Sequence, residues 1–427
     1  MKFKQETDFQ ETEIGKIPRE WRIVKLNRIA QIIMGQSPPS ETYNNDCIGM
    51  PFLQGKMEFG RIYPSPVMYT SNPIKIAEPN DVLISVRAPV GDVNIAPYRI
   101  CIGRGLAAIR FDPNQTNYMF FFYYFQSIKE RLETLSKGST FKAITKKDLE
   151  ELTVLNPSLK EQKLIAEILS TVDRTIEVVD AGVVRLEGLK KALMRELLTG
   201  RIRVREENGK LVFNKETDFQ ETEIGKIPRE WKIAKLKDIG KIVSGFTFSL
   251  ELQGKNSGKY PFIKVNDMNN SYKYIYTAEN YVDDNDLVKL KARPYPPNTI
   301  IFPKIGMAVR LNKYRILRLE ALFDNNIAGV IINDRLAYYE FIYYYLQGKI
   351  DLMSLASMTT VPSITKTKLE NIPVPYPSIH EQRRIADILS TIDMAIELYH
   401  GEKERLESLK TGLMNLLLTG KIRVRED

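Results

Sequence analysis

Small hydroxyls set among lysines occur at two corresponding places in this chain. Lys137-Gly138-Ser139-Thr140-Phe141-Lys142-Ala143-Ile144 matches Ser357-Met358-Thr359-Thr360-Val361-Pro362-Ser363-Ile364 in position, with Lys146 and Lys366 just beyond. Hydroxyl and ammonium donors of this kind hold phosphate oxygens, the contacts that position a protein on a nucleic acid. Taken alone, the same residues also make an ordinary polar turn ahead of a strand. Gly35-Gln36-Ser37-Pro38 and Gly245-Phe246-Thr247 form a second pair of loops at matching places.

Other chemistry is thin. His380 and His400 fall on one predicted helix, and Cys47 and Cys101 are isolated, so no metal cluster is expected. No phosphate-cradling Gly-x4-Gly-Lys loop occurs. Gly103-Arg104-Gly105-Leu106-Ala107-Ala108 fits a dinucleotide pattern by letter, but Asp112-Pro113-Asn114 follows where the helix should continue. Chance, or a turn that needs two glycines, explains it better. An Asn/Asp-Pro-Pro-aromatic motif for amino methylation is absent, since Pro296-Pro297 lies between Tyr295 and Asn298. These patterns count against an enzyme and against a metal or organic cofactor.

Composition sets the class. The 427 residues are 43% hydrophobic and 27% charged, an ordinary globular balance with room for more than one domain. The start, Met1-Lys2-Phe3-Lys4-Gln5, has no apolar signal core, and no run of 18 apolar residues suggests a membrane span. Two cysteines suit a reducing cytoplasm, which is the expected location. A net charge of +9 is the footprint of a nucleic-acid binder, although the same excess also serves solubility.

The elements that must position the loops are repeated. Glu6 to Trp21 recurs residue for residue as Glu216 to Trp231. Ser158-Leu159-Lys160-Glu161 and Ser378-Ile379-His380-Glu381 follow Pro157 and Pro377 and read as capping boxes, the serine capping the third N–H and the glutamate reaching back. Each helix then runs to Thr-Gly, with Gly200 and Gly420 suited to the left-handed cap. Ile165, Leu169, Val172, Ile176, Val179, Val183, Leu186, Leu193 and Leu197 keep alternating steps of four and three, interrupted at Lys190. Ile385, Leu389, Ile392, Ile396, Tyr399, Leu406, Leu413 and Leu417 keep the same beat, interrupted at Lys403 and Lys410. A period of 3.5 held this long predicts a coiled-coil seam; the alternative, a helix packed on a globular core, would show a wider apolar stripe. Short connections favour the two helices running antiparallel.

Two dissimilar inserts lie between the repeats. Strands are predicted at Asp81–Arg87, Gly105–Arg110, Thr299–Phe302 and Gly329–Ile332, and an aromatic helix closes each insert at Tyr118–Leu135 and Tyr338–Leu355. The aromatics at helical spacing read as core. The expected fold class is α+β: two mixed α/β domains joined by two long antiparallel coiled-coil helices, with a pseudo-twofold internal repeat. Expected boundaries are 1–157 for the first domain, 158–210 for the first helix and connector, 211–377 for the second domain, and 378–427 for the second helix and tail. Because the tail after Gly420 repeats the stretch that leads into Glu216, the termini should lie together and a circular permutant should fold.

At this point the chain resembles the DNA-specificity subunit of type I restriction-modification enzymes. The resemblance is carried by Pro157–Asp173 and Pro377–Asp393, by Ile14–Trp21 and its copy, by Asp81–Gly91, Gly138–Ile144 and Asp324-Asn325-Asn326, and by the Leu-Leu-Thr-Gly endings. It covers nearly the whole chain in family order. The second insert departs from it, with Met358-Thr359-Thr360-Val361-Pro362-Ser363 in place of a Gly-Ser-Thr. The resemblance implies a non-catalytic subunit that binds double-stranded DNA at a bipartite, asymmetric sequence. One target recognition domain would read each half-site, and the coiled coil would fix the gap. It also implies two methyltransferase subunits as partners, with restriction subunits joining them.

Polar residues in or beside predicted loops are the candidate DNA contacts. They are Gln36, Ser37, Arg87, Arg104, Ser139, Thr140 and Lys142 in the first domain, and Thr247, Lys264, Asn266, Lys304, Arg310, Thr359 and Thr360 in the second. Two other classes compete: a diverged DNA methyltransferase or nuclease, which would bind S-adenosylmethionine alone, and a coiled-coil scaffold without DNA specificity.

Overall fold

The structure, a computed structural model, describes residues 2–135, 143–357 and 360–425. It holds two compact units, Met1–Val179 with Glu402–Asp427 and Asp180–Gly401. Each is mixed helix and sheet.

In the first unit the fully buried strand Val82–Ser85 pairs antiparallel with Leu106–Phe111, Val82 opposite Ile109. Leu106–Phe111 pairs in turn with Ala30–Met34, and Val93–Ile95 closes the other edge. A second sheet runs through Met50–Leu53 and Ile100–Ile102. Helix Tyr118–Ser127 lies behind the first sheet, its N-terminus capped by Asn117 Oδ1 accepting from the Phe120 amide at 3.0 Å. Phe120, Phe121, Phe122 and Phe125 are fully buried, and Phe111 stacks on Phe121 at 4.4 Å, so the aromatics are core as expected. The helix stops at Ile128 and a second one, Lys129–Leu135, follows, where the sequence suggested one piece.

The second unit repeats the plan. Gly240–Ser244, Ile327–Ile332, Ile300–Pro303 and Arg315–Leu317 are successive neighbours in its sheet, backed by helix Tyr339–Lys349. Tyr260–Ile263 and Leu322–Phe323 belong to its smaller sheet.

Both long helices form, Leu159–Leu197 and Ile379–Leu417. The Ser158 hydroxyl accepts from the Glu161 amide at 3.3 Å, but the glutamate does not complete the capping box. Its carboxylate instead accepts from Trp21 Nε1 at 3.0 Å and from Arg423 Nε at 2.7 Å. Arg423 donates its other nitrogens to Glu6 at 2.8 Å and Glu20 at 3.1 Å, and lies 5.6 Å from the Trp21 ring centre. Arg203 repeats the arrangement with Glu381, Glu216, Glu230 and Trp231. The duplicated segment thus supplies two glutamates and a tryptophan to a buried arginine. A charge removed from water needs that many acceptors to be tolerated.

Gly420 and Gly200 do end the helices, at φ +70° and +68°. A Cβ there would stand 2.3 Å from Pro18 or 2.4 Å from Pro228, so the duplicated segment also covers each helix end. Lys2–Gln5 pairs antiparallel with Ile422–Arg425, Lys2 opposite Arg425, which puts the chain ends side by side as expected. In mid-chain the corresponding strands, Ile202–Glu207 and Lys210–Lys215, are joined by a turn with Asn208 and Gly209 at φ +52° and +75°.

The seam is used differently along its length. In the first unit Ile165, Leu169, Leu413 and Leu417 belong to the domain core with Trp21 and Phe120; Leu164 and Ala166 are buried too, a wider stripe than a coiled coil needs. In the second unit Leu197, Ile385 and Leu389 do likewise, whereas Val183, Ile392 and Ile396 bury one another beside Leu186 and Leu193. Ile176 and Val179 are buried, and Val172 and Leu406 half-buried. Tyr399 is 39% exposed. Its ring nonetheless fills the space over Gly182, where a Cβ would come within 2.2 Å. Two of the three lysines that interrupt the heptads are part of the packing. Lys190 Nζ is 2.7 Å from Asp393, and Lys410 Nζ is 2.8 Å from Asp173. In each unit the residue order across these contacts runs antiparallel. No helix among the described residues is long and apolar enough to cross a membrane.

Candidate nucleic-acid interface

At one rim of each unit, loop backbones are knit together by the same hydrogen bonds. In the first unit the Gly35 amide donates to Leu106 O at 2.9 Å and the Gln36 amide to Ile102 O at 3.0 Å. The Gly103 amide donates to Leu53 O, the Val86 amide to Gly105 O, and the Ile144 amide to Val86 O, at 2.8, 2.9 and 2.9 Å. In the second unit Gly245 donates to Ile327 O at 3.2 Å and Phe246 to Phe323 O at 2.8 Å. Asp324 donates to Ile263 O, Lys304 to Asn326 O, and Ile364 to Lys304 O, at 3.0, 2.7 and 2.9 Å.

The close approach explains the glycines. A Cβ on Gly35 would stand 2.1 Å from Gly103 O, and one on Gly245 1.8 Å from Asp324 O. Gly103 and Gly105 press against Gln54, where added Cβ atoms would lie 3.0 and 2.7 Å from its backbone. The Gly103-Arg104-Gly105 stretch is therefore the turn that needs two glycines, followed directly by strand Leu106–Phe111, not a dinucleotide loop.

This network makes Gln36 equivalent to Phe246, Ser37 to Thr247, Gln54 to Lys264, and Arg104 to Asn325. Arg87 corresponds to Ile305, each bridging to the last residues of its hydroxyl loop, Ala143 or Ser363. Gln36, Gln54, Arg87 and Arg104 are exposed together, and Arg104 Nε is 3.4 Å from the Ser37 hydroxyl. Thr247 and Asn325 are exposed on the second rim. Lys264 Nζ donates to Gln253 at 2.7 Å and lies 5.4 Å from the Phe248 ring centre.

Lys304 sits inside the second rim, donating to Ser244 Oγ at 3.0 Å. Burial lowers its ammonium below the ordinary lysine value, with the Asp324 carboxylate pulling the other way. Burial likewise raises Asp324, opposed by the Asn326 amide. Asn266 is exposed on helix Val265–Asn269 and donates to Glu279 at 2.8 Å. Arg310 and Thr360 are exposed, one on the helical turn Met307–Leu311 and one near Pro362, whose carbonyl accepts from the Gly306 amide at 2.8 Å. Ser139, Thr140, Lys142 and Thr359 lie outside the described residues.

Sequence reasoning missed Gln54, and quoted Asn325 only within a motif. The glycines flanking Arg104 were the available signal for close packing, but nothing local says which strand they pack against.

Buried polar ties hold the aromatic helix of each unit to a long helix. Asp173 accepts from Tyr123 OH at 2.8 Å as well as from Lys410, and Asp393 accepts from Tyr344 OH at 2.6 Å as well as from Lys190. Burial and the neighbouring aspartate push both phenols well above their ordinary value, so they stay donors. Arg61 also approaches Asp173, at 3.5 Å, and Lys273 reaches Glu340, Tyr344 and Ser390 at 2.8–3.0 Å.

A model of the type I restriction modification DNA specificity domain matches residues 18–182 and again 228–408. The type I restriction enzyme MjaVIII specificity subunit of Methanocaldococcus jannaschii is 27% identical over 433 residues, covering 100% of this chain and 98% of that one. Another protein of the same organism is 52% identical over 199 residues, 46% of this chain, and the chain spans 47% of that relative. The crystal structure of a type I restriction-modification S subunit from M. genitalium is similar in fold, with a TM-score of 0.61 at 20% identity, covering 93% of this chain and 96% of that one.

Proposed function

Because the chain belongs to the type I restriction-modification DNA specificity family, as a specificity subunit and not a catalytic one, we propose that it reads a bipartite, asymmetric DNA sequence, one half-site at each rim. The observation that carries this reading is a single backbone network presenting two different sets of side chains. Phosphate contacts position a protein, while side chains at base edges specify the sequence. Two unlike sets on one frame therefore read two unlike half-sites. The target recognition domains are 1–157 and 211–377, and the candidate contacts are those named above. The two long helices set the gap between half-sites.

The docking partners in this reading are methyltransferase subunits, with restriction subunits joining them. Support comes from the arginine-centred frame, present in two copies that differ little. Two like surfaces suit two copies of one partner. The test is to co-express the chain with its neighbouring methyltransferase gene and map methylated sites. A split motif with unlike halves is expected. A continuous or palindromic motif would contradict the reading.

A further inference from the structure

The matched backbone bonds single out one position in each rim. Gly103 and Gly105, like Asp324 and Asn326, have their backbone groups engaged with neighbouring strand ends, leaving Arg104 and Asn325 at the apex of the two turns. Both are exposed. The apex is fixed in space from below: Gly35 and Gly245 approach so closely that no side chain fits between the loop and the turn. Arg104 is further steadied by the Ser37 hydroxyl, which lies 3.3 Å from its amide and 3.4 Å from its Nε. That contact uses the amide and Nε and leaves out the two terminal nitrogens of an exposed guanidinium.

Resting on the proposed DNA reading, we infer that these apices are paired base-reading positions, Arg104 for a guanine in the first half-site and Asn325 for an adenine in the second. A guanidinium fork matches the O6 and N7 acceptors of guanine, and a carboxamide matches the N7 acceptor and N6 donor of adenine. A rigid turn bearing one such side chain satisfies the geometry, because a bidentate contact tolerates little play. Gln36 and Gln54 flank Arg104 and are exposed beside it. Phe246 and Lys264 take their places around Asn325, so the two apices work in different company.

The experiment uses the full chain co-expressed with its methyltransferase partner and reads the methylation motif across a genome. Arg104→Asn should relax one guanine position in one half of the motif by about ten- to a hundredfold and leave the other half unchanged. Asn325→Arg should disturb one adenine position in the other half only. The unchanged half in each variant shows that the protein is folded and bound. If both variants keep the wild-type motif, or if both alter the same half, the apex assignment is wrong while the bipartite reading stands. If the wild type itself yields no split motif, both fall together.

Discussion

Asp173 is wholly buried, and what keeps it so is a set of donors reached from three parts of the chain: Tyr123, Lys410 and Arg61. Desolvated charge is tolerated only when paired, so removing one partner costs more than the pair contributes. Lys410→Met should destabilise the protein by about 3 kcal/mol, and Lys410→Met with Asp173→Leu should recover much of that, read by urea unfolding. Equal losses in the single and double variants would show that the lysine acts through packing alone. Glu6 and Glu216 offer a pH test. The Asp8 amide first and Arg423 second hold Glu6 at about 2, from an ordinary 4.5, and the Asp218 amide and Arg203 do the same for Glu216. A carboxylate whose folded value is depressed stabilises above its unfolded value and loses that contribution as pH falls to the folded one. Stability should therefore drop between about pH 4.5 and 2, and the Glu6→Gln, Glu216→Gln variant should show a shallower fall in the same series. These ties were not legible in the sequence. Lys190 and Lys410 looked like gaps in a heptad, because periodicity records what a position lacks and is silent on a carboxylate 203 or 237 residues away.

The long helices were the most legible elements, since capping residues, heptad steps and a closing glycine are all local. Gly200 and Gly420 combine positive φ with a Cβ direction aimed at Pro228 and Pro18. Alanine at either should cost at least about 1–2 kcal/mol in thermal unfolding from the backbone conformation alone. Serine at Gly188, where a Cβ meets nothing within 4 Å, should be nearly neutral by comparison. The rims were far less legible. Their likeness lies in backbone hydrogen bonds that any residue except proline can make, so the side chains were free to diverge until the inserts looked unrelated. The glycines at 35 and 245 and the matched hydroxyl loops ending at Ile144 and Ile364 were what betrayed the correspondence. For the proposed spacer role, the helices themselves give the test. Removing seven residues from each, between Asp173 and Lys190 and between Asp393 and Lys410, keeps the heptad phase and both lysine–aspartate pairs. It shortens a helix by roughly 10 Å, about three base-pair steps. The mapped motif should keep its halves and lose about three bases from its gap. An unaltered gap would rule out the helices as the ruler.

At the scale of the whole molecule, the repeat makes the position of the chain ends a matter of convenience. Lys2 lies opposite Arg425 in the same kind of strand pair that Asn208 and Gly209 close in mid-chain. Arg423 draws Glu6 and Glu20 from the start of the chain around Glu161, just as Arg203 draws Glu216 and Glu230 around Glu381, so the frame holds with or without a covalent turn between its strands. Chains tolerate new ends at exposed turns whose backbone makes few ties, and Asn208-Gly209 is such a turn, with both residues exposed. A permutant that begins at Gly209, ends at Asn208 and joins Arg425 to Lys2 through an Asn-Gly turn replaces one open strand pair by another. It should unfold in a single urea transition close to the parent's and, with the methyltransferase partner, yield the parent's motif. A control opened at Gly182, inside a long helix and under the Tyr399 ring, should lose stability sharply. If the Gly209 permutant were as unstable as that control, the strand pair at the termini would need its present ends, and the two halves of the frame would not be interchangeable.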